Sequence, residues 1–363
     1  MRAPGWRLYL LLTSMLIACE ARAEPYLAVQ TGFKCGQCHV NPTGGGERTA
    51  FGNVFAQTQL AAQRLGDGEL WTGEVNRFLT VGGDLRTQYD YSQVTQRPSV
   101  NQFELEQARL YATANIIPQR LYLYADELVA PGGATNMEAY AVYWSAAHDY
   151  YLKAGQMYLP FGLRLQDQSA FVQDITAINM GTPDTGVELG WERGHWDAQL
   201  DITNGELASG TTTRGKQYSG QLAYVSGAWR AGVALARDSL TVGNRNAAGI
   251  FGGLRTGPIA WLAEADLTSD ESLRATPLRQ AAALLEADWR IRQGQNLKLT
   301  AEYVNQDRDA GRLAVQRLSL LYELTPFQFV QLRPGIRYSN GVLGTSPASG
   351  RGILAFIELH AFF

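Results

Sequence analysis

The chain has 363 residues, with 31 basic and 34 acidic side chains and a formal net charge of −3. This balance gives no basic excess for nucleic acid, so no nucleic-acid partner is predicted. The mean hydropathy of −0.18 would suit a soluble protein, but strands that alternate lipid-facing and lumen-facing residues give a similar average. After the first 23 residues, no apolar run approaches the roughly 20 residues that a membrane-spanning helix needs.

Residues 1–23 have the pattern of a signal peptide. Two arginines precede a largely apolar stretch, and small residues end the segment at Ala23. We therefore predict cleavage near Ala23 and export from the cytoplasm. Removal of this segment would leave 28 basic and 33 acidic residues. In an alternative interpretation, residues 16–19 are a lipoprotein box and Cys19 carries the lipid; this protein would be exported too.

The rest of the chain divides into two predicted regions, residues 24–72 and 73–363. The first contains two cysteines, a glycine-rich turn at 43–46 and apolar residues at helical spacing over about 47–65. A helix this short must dock its apolar side on something. We expect the barrel interior or a bound group to cover it.

Residues 35–39 read Cys-Gly-Gln-Cys-His, the pattern of covalent c-type haem attachment. The thiols of Cys35 and Cys38 add to the two vinyl groups of haem, and the adjacent His39 then reaches the iron as an axial ligand. The alternatives are a chance match, a redox disulfide and half of a zinc site, although a zinc site needs further ligands. We predict one covalent haem c on this segment.

From about residue 76, polar and apolar residues alternate, as in strands with one face in lipid. In Trp196–Thr203, for example, every second residue is polar. The segment lengths match the roughly 9–11 residues needed to cross a bilayer at a tilt. Sixteen segments are predicted, at 78–92, 101–116, 120–130, 137–147, 150–160, 184–193, 196–204, 215–225, 229–238, 246–255, 259–268, 277–291, 295–305, 313–324, 327–340 and 351–363.

The connections between these segments alternate between tight turns and longer loops, the longest at about 161–183. Short periplasmic turns and long external loops are the layout of outer-membrane barrels. The last segment ends in Phe363 and resembles the C-terminal signature by which such barrels are selected for insertion. Pro334 falls inside a segment, and we expect irregular pairing there because proline cannot donate to the ladder. Aromatic residues beside the short turns predict an interfacial girdle of Trp144, Tyr150, Tyr151, Trp191, Trp196, Trp229, Trp289 and Phe327.

These patterns predict an all-β fold: an antiparallel barrel of about sixteen strands with a small N-terminal helical plug that holds the haem. The predicted location is the outer membrane of a Gram-negative bacterium, with outer-membrane lipid around the barrel. A large soluble β-sandwich or propeller is the alternative fold.

The second axial ligand of the iron is harder to predict. His148 and His195 fall in short turns. If Phe363 faces lipid, the alternation directs His360 into the lumen near the periplasmic mouth, which makes it our first choice. It could equally be an ordinary lumen residue, and the sixth position could be open or filled from the plug. The weaker choices are Met137, Met157 and Met180.

Residues 28–39 resemble the N-terminus of the fused monohaem cytochrome–porins of iron-oxidising bacteria. The specific match is confined to this stretch, whereas the order of haem segment and barrel matches along the whole mature chain. The resemblance implies that electrons pass from extracellular Fe(II) through the haem to a periplasmic c-type cytochrome or similar carrier. The sequence departs from the family's usual lead at Leu27 and Val29, and Pro42 lies one position early. Residues 153–162, with 185–189 and 203–205, resemble the phosphate-selective porins, which also implies a porin-type barrel.

Three functions are therefore open: an electron conduit across the outer membrane, a passive diffusion porin with a tethered cytochrome that faces the periplasm, and a haem enzyme or sensor. Carboxylates predicted to face the lumen could attract Fe(II) or could be solvated porin charges. No tight ligand cluster for iron is visible in the sequence. These carboxylates are Glu188, Asp197, Asp201, Glu302 and Glu358.

Overall fold

The computed structural model describes residues 24–205, 215–240, 242–274, 276–310, 314–341 and 351–363. The predicted signal peptide and Cys19 lie outside these residues. The described chain consists mainly of one antiparallel sheet. Its strands are β1 (Glu74–Asn76), β2 (Leu79–Val94), β3 (Val100–Ile117), β4 (Leu121–Ala130), β5 (Thr135–Trp144), β6 (Tyr150–Met157), β7 (Asp184–Arg193), β8 (Trp196–Thr203), β9 (Gln217–Val225), β10 (Trp229–Ser239), β11 (Asn244–Thr256), β12 (Ile259–Asp270), β13 (Leu278–Arg292), β14 (Gln295–Asn305), β15 (Ala314–Phe327), β16 (Val330–Ser339) and β17 (Gly352–Phe362).

Sixteen of these strands, β2–β17, close into a barrel. Each pairs with its neighbour in sequence, and β17 returns to β2 with Phe362 opposite Asp84 and Gly352 opposite Val94. The short strand β1 is an addition beside β2. Closure leaves no open sheet edge, which a bilayer requires. All sixteen predicted segments are confirmed as strands, and their ends agree within three residues.

The two faces of the barrel differ as the alternation predicts. On β17, Ile357 and Leu359 are exposed on the outside, whereas Glu358 and His360 are buried inside. An apolar outer wall around a closed barrel is the arrangement of an outer-membrane protein, and the predicted location is confirmed. No helix among the described residues is both long and apolar enough to cross a membrane.

The aromatic girdle is confirmed in part. Tyr150, Trp196, Trp229 and Trp289 are exposed on the outer wall beside the short turns. Two of the predicted residues are errors. Tyr151 is buried and its hydroxyl donates to Glu188 at 2.8 Å, and Trp144, opposite it, packs against the same lumen cluster. The residue directly after Tyr150 must face the lumen, so both cannot belong to the girdle.

The strand β16, which contains Pro334, pairs irregularly with one of its two neighbours, as expected. Its pairing with β17 is regular, with Pro334 opposite Ile357. Its pairing with β15 is interrupted between Gly335 and Leu332, and the register shifts beyond that point. The missing N–H of proline accounts for the interruption.

The four described helices are short. They are α1 (Pro25–Thr31), α2 (Cys35–Cys38), α3 (Ala50–Phe55) and α4 (Phe171–Thr176), and a π-helical turn, Ala56–Leu60, extends α3. The helix predicted over 47–65 is therefore shorter than expected. Thr49 caps its start by accepting from the Gly52 amide at 3.1 Å. Phe51 and Leu65 are exposed, so only part of the predicted apolar side is covered.

Parts of residues 24–72, which we call the plug, contact the inner wall of the barrel. On one side, the Asn41 amide donates to Glu138 of β5 at 2.9 Å. On the other side, the Tyr26 hydroxyl donates to Glu323 of β15 at 2.9 Å. These contacts lie on opposite walls, so the plug crosses the lumen.

Residues 158–183, between β6 and β7, also fold into the lumen and form what we term the inward loop. The backbone amide of Leu163 donates to Glu264 at 2.8 Å, and that of Phe171 donates to Glu302 at 2.9 Å. Apolar residues of this loop pack with Tyr26 of the plug in one core cluster. The sequence predicted the loop's length but gave no sign that it folds inward.

Candidate functional site

The Cys-x-x-Cys-His segment forms a single helical turn. Hydrogen bonds within the segment close both ends of this turn. The Lys34 amide donates to the Gln37 side chain at 2.9 Å, and the His39 amide donates to the Cys35 carbonyl at 3.0 Å. Residues three apart lie on the same side of a helix, so Cys35 and Cys38 face the same space.

A run of three glycines brings the chain back over this turn. Gly44, Gly45 and Gly46 all have positive φ angles, of 92°, 85° and 66°. A Cβ atom on Gly44 would lie 3.3 Å from Cβ of Cys35, and one on Gly46 would lie 2.2 Å from the Tyr124 hydroxyl. The glycine-rich turn thus permits both the backbone conformation and the close packing that the motif needs.

One internal cavity brings together the two cysteines, His39 and His360. The plug, the barrel wall and residues 162–166 of the inward loop all contribute to its lining. The cavity has a volume of about 160 Å³. The cavity is thus enclosed by protein on several sides but connected to solvent.

The environment of His39 suits a metal ligand. Burial, with a smaller contribution from Arg48, lowers its pKa to about 4. The imidazole is therefore neutral at physiological pH, the form that binds iron. Its Nδ1 atom is buried and has no hydrogen-bond partner among the described residues.

Both thiols are half-buried. Burial raises the pKa of Cys35, and it raises the pKa of Cys38 to about 11. Both thiols are therefore in the neutral form at physiological pH. Within the described parts of the chain, no group of three or more His, Cys, Asp or Glu is arranged to hold a metal ion.

Three arginines that line the cavity have no carboxylate within ion-pair distance among the described residues: Arg48, Arg164 and Arg230. Arg164 donates to the Thr43 carbonyl at 3.0 Å. Arg230 donates to the Phe33 carbonyl at 2.6 Å. The guanidinium of Arg48 lies 4.3 Å from the centre of the Phe362 ring. Partly buried cations without counter-ions favour an anionic group in the cavity.

His360 lies in the cavity wall, with its side chain directed inward as predicted. Its Nε2 atom lies 2.9 Å from Asp84 Oδ2 and donates to it, because a carboxylate only accepts. Its Nδ1 atom lies 3.3 Å from Gln331 Oε1. With the proton on Nε2, Nδ1 keeps its lone pair. A histidine that donates to a carboxylate through one nitrogen can bind a metal through the other; here that other nitrogen, Nδ1, faces the Gln331 side-chain amide.

The other predicted ligands do not line this cavity. The Nδ1 atom of His195 lies 2.7 Å from the Val225 carbonyl in a short turn, and the His148 ring lies beside Trp144. The three methionines are buried in apolar clusters of the barrel wall and the inward loop. Of the ligands proposed from the sequence, the structure therefore brings only His360 into the cavity with the haem motif.

The lumen carboxylates are less available than the sequence suggested. Glu188 forms an ion pair with Lys153 at 2.9 Å, Glu302 with Arg317 at 2.5 Å and Glu358 with Arg333 at 2.9 Å. The remaining two, Asp197 and Asp201, accept hydrogen bonds from Gln199 and Ser219. Most of the predicted acidic charge is therefore neutralised inside the barrel.

The plug is seated on the short-turn end of the barrel. The Arg255 side chain donates to the Gln30 carbonyl at 2.8 Å, and the Ala62 amide donates to the Thr325 carbonyl at 2.9 Å. The predicted layout makes this end periplasmic. The inward loop lies on the other side of the cavity, because it extends from the strand ends that carry the long loops.

Comparison by sequence finds no matching protein-family model and no matching curated protein. Solved structures do match the barrel. An anion-selective porin from Comamonas acidovorans is 12% identical, with a TM-score of 0.63 over 78% of this chain and 99% of that one. OprB from Pseudomonas putida is 8% identical, with a TM-score of 0.63 over 79% and 94%. The outer-membrane channel DcaP from Acinetobacter baumannii is 12% identical, with a TM-score of 0.58 over 84% and 100%. At these identities the likeness shows the fold, a closed sixteen-strand barrel of the porin type.

Proposed function

We propose that this protein is a monohaem cytochrome–porin that moves electrons across the outer membrane. Its extracellular donor would be Fe(II), as the resemblance implies, and its acceptor would be a periplasmic c-type cytochrome or similar carrier. One observation supports this above all others: Cys35, Cys38, His39 and His360 line a single cavity inside a plugged barrel.

The residues present fit a covalent haem. Cys35 and Cys38 would form the thioether bonds, and His39 and His360 would be the axial ligands, His360 through Nδ1. Arg48, Arg164 and Arg230 would balance the two propionates, since guanidinium groups pair well with carboxylates. Haem supplies a one-electron carrier whose potential depends on its axial ligands and burial.

The position of the cavity suits transfer towards the periplasm. The plug is seated on the short turns, so a soluble carrier at that end could approach the motif closely. The inward loop covers the cavity from the long-loop side, and a donor in the external medium must approach through it. Such a barrel keeps the single redox centre inside a membrane whose hydrocarbon core is about 30 Å thick.

A passive diffusion porin with a tethered cytochrome is the second proposal. It rests on the barrel's likeness to solved porins and channels. In that case solutes would pass between the plug and the wall, and the haem would exchange electrons only with periplasmic partners.

The test is the visible spectrum of the purified oxidised protein, recorded before and after addition of Fe(II). We expect a low-spin c-type spectrum that Fe(II) reduces promptly. The control is the Cys35→Ala/Cys38→Ala variant, which should fold as a barrel without covalent haem. A wild-type protein without haem would end the cytochrome proposal, and a haem reduced by dithionite but not by Fe(II) would end the proposal of iron as donor.

A further inference from the structure

The outer wall of the barrel has a groove across β9–β13. Its shape follows from the strand register: Leu235 on β10 lies between Gly220 on β9 and Ala248 on β11. Leu235 is 65% exposed, and the two small residues leave a depression on each side of it. The groove has a volume of about 730 Å³, and its lining is mainly apolar. It faces the lipid, since Leu235 belongs to the outward-facing set of β10.

A polar row crosses the same strands one pleat nearer to the long loops. Arg237 is opposite Asn246, Asn246 is opposite Ser269, and Ser269 is opposite Arg279. Arg308 joins this row, because its backbone amide donates to the Arg279 carbonyl at 2.9 Å. All three arginines are exposed and line the groove. The row lies at the end of the strands where the membrane gives way to lipid head groups on the external side.

The charge along this row is uncompensated. No Asp or Glu is among the described residues that line the groove. Nor do Arg237, Arg279 and Arg308 form an ion pair with any described residue. Two nearby carboxylates are engaged elsewhere: Asp307 binds Arg274 at 2.6 Å, and Glu271 accepts from Asn244 at 3.1 Å. Three arginines beside an apolar groove suit an anion that also has an apolar part.

We propose that this groove binds a phosphorylated lipid of the outer leaflet, such as the lipid A part of lipopolysaccharide. Its phosphates would pair with Arg237, Arg279 and Arg308, and an acyl chain would lie along the depression beside Leu235. Arginine suits phosphate because its planar guanidinium donates two parallel hydrogen bonds. A second copy of the chain fits the groove less well, because the apolar outer wall of another barrel would offer no negative charge to the three arginines. This proposal does not depend on the haem.

The test measures the binding of purified lipid A to the detergent-solubilised protein by native mass spectrometry. We expect the Arg237→Gln/Arg279→Gln/Arg308→Gln variant to lose at least tenfold in affinity. The matched control is Arg97→Gln/Arg351→Gln/Arg292→Gln, which changes the net charge equally at exposed sites outside the groove. The Ala248→Trp variant should fill the groove and weaken binding without any change in charge. Dephosphorylated lipid A should bind the wild type no more tightly than intact lipid A binds the triple variant.

Two outcomes would overturn the proposal. One is equal loss of lipid A binding in the groove variant and in its control, which would reduce the effect to net charge. The other is unchanged binding of lipid A in the groove variant; if its oligomeric state then differs from that of the wild type, this wall is an interface between copies of the chain.

Discussion

At the scale of single residues, the fit for haem depends on how His360 is held. Asp84 accepts from His360, from Arg86 at 2.8 Å and from Gln107 at 2.8 Å, so this carboxylate is fixed in place. A fixed carboxylate also fixes the imidazole ring and its tautomer, which directs the lone pair of Nδ1 away from Asp84. The sequence could predict that His360 faces the lumen from alternation alone. It could not predict this partner, which lies on a strand 276 residues away along the chain.

Replacement of His360 tests its role as the second axial ligand. We expect His360→Ala to convert the oxidised haem from low spin to high spin, with covalent attachment intact, because one strong ligand is lost. Added imidazole should restore the low-spin spectrum by entering the vacated space. Gln331→Leu is the matched control: it changes the other neighbour of the ring and should leave the spectrum low spin. A low-spin spectrum in His360→Ala without imidazole would assign the ligand elsewhere.

At the scale of elements, the strands were predictable and the lumen contents were not. Strand bounds follow from period-two alternation, because each strand has lipid on one side and the lumen on the other. The inward loop has no such period, and its position depends on bonds such as that from Leu163 to Glu264, which join residues about a hundred positions apart. The arginines of the cavity were missed for the same reason. Their only sequence signal is a basic residue at an inward-facing position, as for Arg230.

The contact between a short turn of the barrel and the plug can be tested by substitution of a glycine. Gly294 and Gly257 both occupy short turns with positive φ, of 79° and 59°. A Cβ atom on Gly294 would lie 2.5 Å from Cβ of Ala62 in the plug, whereas one on Gly257 would meet nothing within 4 Å. Alanine costs about 1–2 kcal/mol in backbone strain at either site. The two substitutions therefore differ only in whether the new Cβ atom clashes with the plug.

We expect Gly294→Ala to loosen the plug and Gly257→Ala to leave it seated. The exposed Arg64 lies just beyond the contact, so the rate of trypsin cleavage after Arg64 in detergent measures the loosening. The cleavage rate should rise several-fold in Gly294→Ala relative to Gly257→Ala. Equal rates in the two variants would show that the turn does not hold the plug.

At the scale of the whole molecule, two insertions share one lumen. The plug enters from the short-turn end and the inward loop enters from the opposite end, and Arg164 joins them through its bond to the Thr43 carbonyl. The inner wall of the barrel around the plug and the inward loop carries buried ion pairs, such as Arg109–Asp126 at 2.9 Å. A pore filled in this way should pass electrons through a bound cofactor more readily than it passes solutes. The conduit and the passive porin therefore differ in what crosses the membrane.

Proteoliposomes separate the two functions. Oxidised cytochrome c is trapped inside, and ascorbate, an anionic reductant that crosses lipid bilayers only slowly, is added outside. We expect wild-type protein to support reduction of the trapped cytochrome while trapped glucose stays inside, since the lumen is plugged. The Cys35→Ala/Cys38→Ala barrel should retain glucose equally well and support no reduction. If the trapped cytochrome is reduced as fast with the haem-free barrel as with the wild type, and glucose is released, ascorbate is diffusing through an open pore and the protein is a passive porin.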